Sequence, residues 1–214
     1  MSRLLYAFGL AALLLSPSTA RGEIIDRVAA VVDRQVITLS EVNQVIELRL
    51  IARRDGEGEP EYRRRVVDAL VAQLLRYRDV ERFGAPDVSA NAIEARLREI
   101  VARFPSEEDF AETLLRVEMS LDEVRNLIKR QLQVAAYVEE RFAPMIFVSL
   151  AEIEEYYRNV WAPQRRSRGL PVPPLGEVRE EIRTLIRAGQ LGDEIDNWTV
   201  QLRSRANVDI YVYR

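Results

Sequence analysis

The sequence predicts a mainly α-helical protein that is closed by a small antiparallel β-sheet. Two β-branched runs lie near the N-terminus, at residues 24–32 and 36–38, and a third run at 208–212 alternates apolar and polar residues. Between them, apolar residues recur at helical spacing behind recognisable caps. Because a two-stranded hairpin is only marginally stable in water, we expect the C-terminal strand to join the N-terminal hairpin in one sheet.

Residues 1–20 have the composition of a secretory signal peptide. Arg3 precedes an apolar run at 4–15, and Ser18-Thr19-Ala20 places small residues before a cleavage point. The run is shorter than the ~20 apolar residues that cross a bilayer. We therefore expect export to the periplasm, cleavage after Ala20 and no stable insertion in the membrane. A cut after Gly22 and an uncleaved N-terminal anchor are the alternatives.

The predicted helices follow one another with short connections. They lie at residues 39–54, 61–83, 90–104, 107–117, 121–142, 150–161 and 177–203. Thr38, Ser120 and Ser149 each precede a glutamate by three residues, which is the pattern of a capping box. Gly189 and Gly192 weaken the last helix, so a break there is an alternative.

These elements divide the chain into a signal peptide and three further segments. Residues 21–161 form a helical core with the β-hairpin, and residues 175–214 return to it as the closing helix and strand. Residues 162–174 are rich in proline and arginine, and we expect a surface linker without secondary structure there.

The composition excludes several classes of function. Lysine and arginine number 31 against 34 aspartates and glutamates, a net charge of −3, so the basic excess of a nucleic-acid-binding protein is missing. The chain has neither cysteine nor histidine, which removes thiol and imidazole catalysis and Cys/His zinc sites. We expect no nucleic-acid partner, no metal, no cofactor and no catalytic residue.

The remaining charged clusters have simpler interpretations. Adjacent carboxylates such as Glu154 and Glu155 point about 100° apart on a helix, which does not suit paired acid–base chemistry. The arginines at 63–65 and 165–168 could contact phosphates or anionic headgroups. In an acidic protein, such short clusters more often keep a helix face or a linker solvated.

Residues 25–42, with the sequence IDRVAAVVDRQVITLSEV, resemble the opening of the SurA-type periplasmic chaperones. In that family a hairpin of this pattern leads into the first long helix. Residues 88–104, 119–125 and 178–212 are similar in character to later parts of the family's core. The resemblance implies a SurA- or trigger-factor-like helical chaperone core, closed by the N-terminal hairpin and the C-terminal strand.

The chain departs from the family where a parvulin-type isomerase domain would be inserted. Residues 148–157, VSLAEIEEYY, resemble the stretch that leads into that domain, but only a short Pro/Arg-rich segment separates them from the closing helix. The family's Gly-rich isomerase motifs and histidines are also missing. The resemblance therefore implies a chaperone core that is not a prolyl isomerase.

A chaperone of this kind needs exposed apolar surface for unfolded or nascent envelope polypeptides, outer-membrane proteins among them. Apolar residues at element ends and connections are the candidates for this contact, although each alone is more often ordinary core. The candidates are Phe104, Phe110, Leu114, Met119, Met145, Phe147, Tyr156, Tyr157 and Trp161.

We expect an ATP-independent holdase in which several of these residues surround a crevice between helices. The alternative is a periplasmic adaptor that binds one defined envelope partner. Breadth of binding separates these two functions. A homodimer, or the exchange of a helical arm between protomers, is also left open.

Overall fold

The computed structural model describes residues 26–211 and confirms a mainly helical protein with one three-stranded antiparallel sheet. Strands β1 (Val28–Val32) and β2 (Gln35–Thr38) form the hairpin, and β3 (Val208–Ile210) pairs with β1, so the order is β2-β1-β3. The two ends of the described chain therefore meet in one sheet. The expected signal peptide at 1–20, residues 24–25 of the first run and residue 212 of the last lie outside the described residues.

A two-residue turn at Asp33 and Arg34 joins β1 to β2 and also fastens the C-terminal strand. Asp33 has a φ of 54°, in the left-handed region that aspartate tolerates better than most residues. Its N–H donates to the C=O of Asn207 at 2.7 Å, and its Oδ1 accepts the N–H of Asn207 at 2.9 Å. The hydrogen bond that the carboxylate accepts from the N–H of Asn207 is the main cause that lowers the pKa of Asp33. The guanidinium of Arg78, 2.7 Å from Oδ2, lowers this pKa further.

Helix α1 (Leu39–Glu47) begins as predicted but ends earlier than residue 54. The Thr38 capping box is present: Thr38 Oγ1 accepts the N–H of Glu41, and the Glu41 carboxylate accepts the N–H of Thr38. The helix ends where Arg49 takes a left-handed φ of 52°. Leu50 and Ile51 prolong the apolar pattern past that point, but they pack against the core from irregular chain. The apolar pattern alone therefore overestimates the length of α1.

Four helices follow, and their bounds lie within three residues of the predicted ones: α2 (Glu59–Phe83), α3 (Ala90–Val101), α4 (Glu107–Arg116) and α5 (Leu121–Arg141). Ser89, Ser106 and Ser120 cap the last three of these helices through their hydroxyl groups. Helix α5 packs against both α2 and α3 and so joins the two parts of the helical core.

The region after α5 corrects one expectation. Helix α6 (Leu150–Tyr156) passes into a π-helical turn (Tyr157–Trp161) and then into α7 (Ala162–Ser167), so the first half of the expected linker is helical. Pro163 lies in the first turn of α7, where a proline removes no hydrogen bond of its own helix. Buried Trp161 and Ala162 hold this turn against the core. The domain boundaries at 161 and 174 stay a prediction.

Helix α8 (Leu175–Arg205) is continuous, so Gly189 and Gly192 do not break it. It packs against α2 and α6 on its way back to the sheet. Trp198 anchors it: the indole Nε1–H donates to Asp79 Oδ2 at 3.1 Å, and the ring lies 5.6 Å from that of Tyr137 and 5.5 Å from that of Phe142.

The buried apolar side chains form four clusters. The sheet cluster joins β1, β2, α1 and α2 through Ala29, Ala30, Val32, Ile37, Val42, Val45, Tyr62, Val66, Val67, Val71 and Leu75. The arm cluster lies between α1, α3, α4 and α5 and contains Leu48, Leu97, Ile100, Phe110, Leu114, Val124 and Ile128. The α8 cluster contains Val80, Tyr137, Val138, Phe142 and Trp198. The α6 cluster contains Ile153, Trp161, Ala162, Val178 and Ile182.

Candidate functional site

The main candidate site is an open crevice of about 510 Å³ between β2, α1, α2 and α5. We call it the β2 crevice, and its lining consists of Gln35, Val36, Ile37, Glu41, Gln44, Val45, Leu48, Leu50, Leu70, Gln73, Leu74, Tyr77, Met119, Glu123, Asn126, Leu127 and Arg130. The hairpin continues directly into α1 and leaves parts of α2 and α5 uncovered. The crevice lies there.

The floor of the β2 crevice is apolar because two core clusters meet beneath it. Val45 belongs to the sheet cluster and Leu48 to the arm cluster. Leu70 and Leu74, one helical turn apart on α2, are only half-buried. Leu127 of α5 is also half-buried. The site therefore presents accessible apolar side chains above a packed interior.

The carboxylates at the rim are already engaged in helix caps. Glu41 caps α1 through Thr38, and Glu123 accepts the N–H and the hydroxyl of Ser120 at 2.7 Å at the start of α5. The backbone hydrogen bond from Ser120 is the main reason that the pKa of Glu123 lies below its usual value. Glu123 therefore stays ionised at neutral pH, and both carboxylates serve the fold as helix caps.

Tyr77 and Arg130 form one end of the crevice. The guanidinium carbon of Arg130 lies 5.4 Å from the centre of the Tyr77 ring, a cation–π contact between α5 and α2. Burial, with a further contribution from the hydrogen bond to Glu81, raises the pKa of Tyr77. The phenol is therefore neutral at physiological pH and offers an uncharged wall.

Four of the nine predicted site residues belong to the arm cluster or pack against it. Phe110 and Leu114 are 5% and 9% exposed, so they are core. Phe104 is half-buried; its ring meets that of Phe110 edge-on at 5.3 Å and carries Arg49 over its face. Met119 also packs against this cluster, and it is the one member of the predicted set that lines the β2 crevice.

Met145 and Phe147 lie on the connection between α5 and α6 and are strongly exposed, at 67% and 82%. Leu150, at the start of α6, adds a third exposed apolar side chain beside them. These residues fit the expectation of accessible apolar surface, but they do not line the β2 crevice.

Tyr156, Tyr157 and Trp161 pack in or against the α6 cluster. The Tyr157 hydroxyl donates to the C=O of Pro173 at 2.8 Å, and its ring stacks on that of Trp161 at 5.7 Å. Trp161 is 6% exposed and donates from its indole to Glu181. The structure thus divides the nine residues among three regions and does not gather them around one crevice.

Several residues of the crevice were not among the sequence candidates. Leu70 and Leu74 lie in the apolar stripe of α2, which the sequence shows as a broad run of core positions. The width of this apolar stripe is the feature that could have identified them, because one neighbouring element is too narrow to cover all of it. Val36, Gln73 and Asn126 carry no signal in the sequence that separates them from ordinary surface residues.

The ionisable groups of the crevice are few, and each of them has a partner within the fold. They are two capping glutamates, a neutral tyrosine and an arginine stacked on that tyrosine. Within residues 26–211, no group of three or more acidic side chains lies close enough to hold a metal ion. No helix in that part of the chain is long and apolar enough to cross a membrane.

The fold and the site define a mainly helical protein with an apolar crevice beside strand β2 of a small sheet. No family model matches the sequence. The sequence is similar to Chaperone SurA of Saccharophagus degradans, with 26% identity over 140 residues. The match covers 63% of this chain and 32% of the relative, so the chain matches about a third of the length of that protein. The similarity supports a distant SurA-like relationship.

Proposed function

We propose that this protein is an ATP-independent periplasmic chaperone that holds unfolded envelope polypeptides, outer-membrane proteins among them, in the β2 crevice. The observation that carries this proposal is the half-buried apolar floor of the crevice, which is open to solvent. The similarity to a protein named as a chaperone supports the same general function.

A holdase of this kind binds unfolded clients in preference to folded ones because unfolded clients expose more apolar surface. Unfolded clients expose apolar side chains, and these gain free energy when they leave water for an accessible apolar surface. The β2 crevice offers such a surface through Leu70, Leu74, Leu127 and Met119. No nucleotide is needed, because client folding itself removes the apolar groups that bind.

The other predicted apolar residues take different roles in this proposal. Met145 and Phe147 supply a second contact surface for long clients. Phe104, Phe110 and Leu114 support the arm, while Tyr156, Tyr157 and Trp161 hold the α6 region against α8. We propose no catalytic residue and no prolyl isomerase activity, because the segment between α6 and α8 is occupied by a helical turn and a short connection.

We also propose that the protein acts in the periplasm after cleavage of the N-terminal segment. The motivation is the apolar run at 4–15 followed by small residues up to Ala20. Mass spectrometry of protein from the envelope fraction should show a start at Arg21 or Glu23. An intact N-terminus at Met1 or Ser2 would contradict this proposal.

The test of the chaperone function is aggregation of two unrelated, chemically unfolded clients at a near-stoichiometric ratio without ATP. We expect the protein to slow aggregation of both. Leu127→Gln should weaken this effect at least threefold because it places an amide in the apolar floor. Leu185→Gln is the matched control, since Leu185 is an exposed leucine of α8 outside the crevice, and it should behave like the unmodified protein.

Two outcomes would change the conclusion. Failure to slow the aggregation of either client would exclude a holdase, whereas protection of a single client would favour the adaptor. A parallel assay of cis–trans exchange in a prolyl peptide should show the uncatalysed rate, and measurable acceleration would contradict the absence of isomerase activity.

A further inference from the structure

Strand β2 forms one wall of the β2 crevice and is an edge strand. Within residues 26–211, the strand order β2-β1-β3 leaves one side of β2 without a neighbouring strand. Gln35, Val36 and Ile37 line the crevice, whereas no residue of β1 or β3 does. The crevice therefore lies beside the open side of β2.

The backbone of Val36 points into this open side. In an antiparallel ladder every second residue directs both its N–H and its C=O towards the same neighbouring strand. Asp33 donates its N–H to the C=O of Asn207, so Val31, two residues earlier and paired with Asp209, directs its N–H and C=O towards β3. Val31 is also the residue opposite Val36 in the hairpin. Since Val31 bonds to β3, the N–H and C=O of Val36 have no partner in β1 and face away from it. Elsewhere in residues 26–211 neither group has a hydrogen-bond partner.

The edge of β2 lacks the features that usually prevent pairing with another chain. Its sequence, Gln35-Val36-Ile37-Thr38, has no charged residue and no proline, and Val36 is 49% exposed. At the opposite edge of the sheet, β3 has only three residues and carries exposed Asp209 at its centre. The sheet is thus protected at β3 and open at β2.

Two of the helices that line the crevice contribute amide side chains to it. Gln73 of α2 and Asn126 of α5 line the crevice, and within the described part of the chain neither side chain makes a hydrogen bond. An amide side chain donates and accepts in the same way as a peptide group. It therefore suits a backbone ligand of any sequence. The leucines of the floor line the same crevice.

We propose that the β2 crevice binds one extended segment of a client by strand addition to β2. The client backbone pairs with the N–H and C=O of Val36, its outer side meets the amides of Gln73 and Asn126, and alternate apolar side chains enter the floor. Strand β2 has four residues, so it holds about four client residues over ~13 Å. This inference rests on the proposed function and specifies how the crevice selects its clients.

Peptides that are N-methylated at alternate positions test the pairing on the unmodified protein. The probe is a fluorescein-labelled nine-residue peptide of alternating leucine and serine with a lysine at each end. Only every second residue of an added strand turns its N–H towards the edge. Methylation of all the leucine N–H groups or of all the serine N–H groups should therefore differ in effect. One set should weaken binding at least tenfold and the other less than threefold.

Substitutions of Val36 test the same contact from the protein side. Val36→Pro removes the outward N–H and leaves the hydrogen bonds between β1 and β2 in place, which an edge strand tolerates. We expect at least tenfold weaker peptide binding. Val36→Ala keeps the N–H although it removes both side-chain methyl groups, and it should stay within threefold of the unmodified protein. Circular dichroism and the thermal midpoint check that both variants are folded.

The outcomes separate this inference from the chaperone proposal. If the protein slows aggregation but the two methylated peptides bind equally, strand addition is wrong and the holdase stands. No binding of the unmethylated peptide at millimolar concentration would also overturn strand addition. A dimer that Val36→Pro converts to monomer, together with no peptide binding, would assign the edge to a second copy of this chain instead.

Discussion

Glu57 is the residue whose contacts hold the irregular chain between α1 and α2. Its carboxylate accepts two hydrogen bonds of 2.7 Å from Arg65 and a third, of 3.0 Å, from the N–H of Arg54. The side chain is 9% exposed, which distinguishes this ion pair from the open pairs around it. The hydrogen bonds from Arg65, followed by that from Arg54, lower the pKa of Glu57 to about 2.

Glu57→Gln should therefore lower the urea midpoint at pH 7. A carboxyl whose pKa is lowered on folding makes its full contribution to stability at pH values above the pKa of the unfolded chain, which is 4.5 here. This contribution is lost as the pH falls from there towards about 2. The difference between the variant and the unmodified protein should shrink over this range, which urea titrations at pH 7, 4 and 2.5 would follow.

Glu59→Gln is the matched control for this prediction. Glu59 pairs with Arg53 and Arg63, but its side chain is 50% exposed, and such surface pairs contribute little. Its urea midpoint at pH 7 should stay close to that of the unmodified protein. Equal midpoints for both variants at pH 7 would contradict the role assigned to Glu57.

The burial of single side chains could be predicted from the sequence only in part. Met119 reaches the crevice, and Met145 and Phe147 are exposed, as a site on element ends requires. Phe110 and Trp161 occupy similar positions in the sequence but are buried by partners on other elements. Apolar residues at helical spacing show that a helix has an apolar face, but they do not show whether another element covers that face. The pattern is therefore the same for buried and for exposed residues.

At the scale of elements, starts were predicted more accurately than ends. Thr38, Ser120 and Ser149 cap their helices within one turn, so the start depends on neighbouring residues alone. The end of α1 depends on Arg49, whose left-handed backbone has no comparable signal in the sequence. Helix α7, at 162–167, was missed because its proline and arginines indicated a linker.

Helix α8 offers a test of how two glycines affect an otherwise regular element. Gly189 and Gly192 lie inside the helix, and a Cβ at either position would meet no atom within 4 Å. Alanine should raise the stability by about 0.5–1 kcal/mol at each site, because glycine loses more backbone entropy on folding. This corresponds to about 1–4 °C in the thermal midpoint, measured by circular dichroism.

Gly169→Ala serves as the control for these two variants. Gly169 has a φ of 67°, a conformation in which a Cβ is strained. The same substitution should therefore lower the thermal midpoint there. Destabilisation by alanine at 189 or 192 would show that the helix needs these glycines for a reason other than its backbone.

At the scale of the whole molecule, the sheet joins the first and last elements of the described chain. Val208 and Ile210 of β3 are half-buried against the sheet cluster, and Asp33 fastens the approach to that strand. Helix α8 reaches this point after crossing α6 and α2. The stability of the hairpin and the position of α8 are therefore linked through one short strand.

Deletion of residues 207–214 should lower the free energy of unfolding by about 2–4 kcal/mol. The estimate combines two half-buried aliphatic side chains with the loss of the ladder bonds to β1. Urea unfolding followed by circular dichroism measures the change. Asp209→Ser, which alters an exposed side chain of the same strand, should have a small effect. An unchanged midpoint for the deletion would mean that the closing strand contributes nothing to stability.

The sequence by itself determined the local features of this protein: the class of fold, the helix caps and the strands that close the sheet. These depend on residues a few positions apart, through backbone hydrogen bonds and side-chain periodicity. Only the tertiary structure decided which apolar faces stay accessible. Leu70, Leu74 and Leu127 form an open floor, while Phe110 and Trp161 are covered, because burial depends on neighbours that the chain brings together from distant positions.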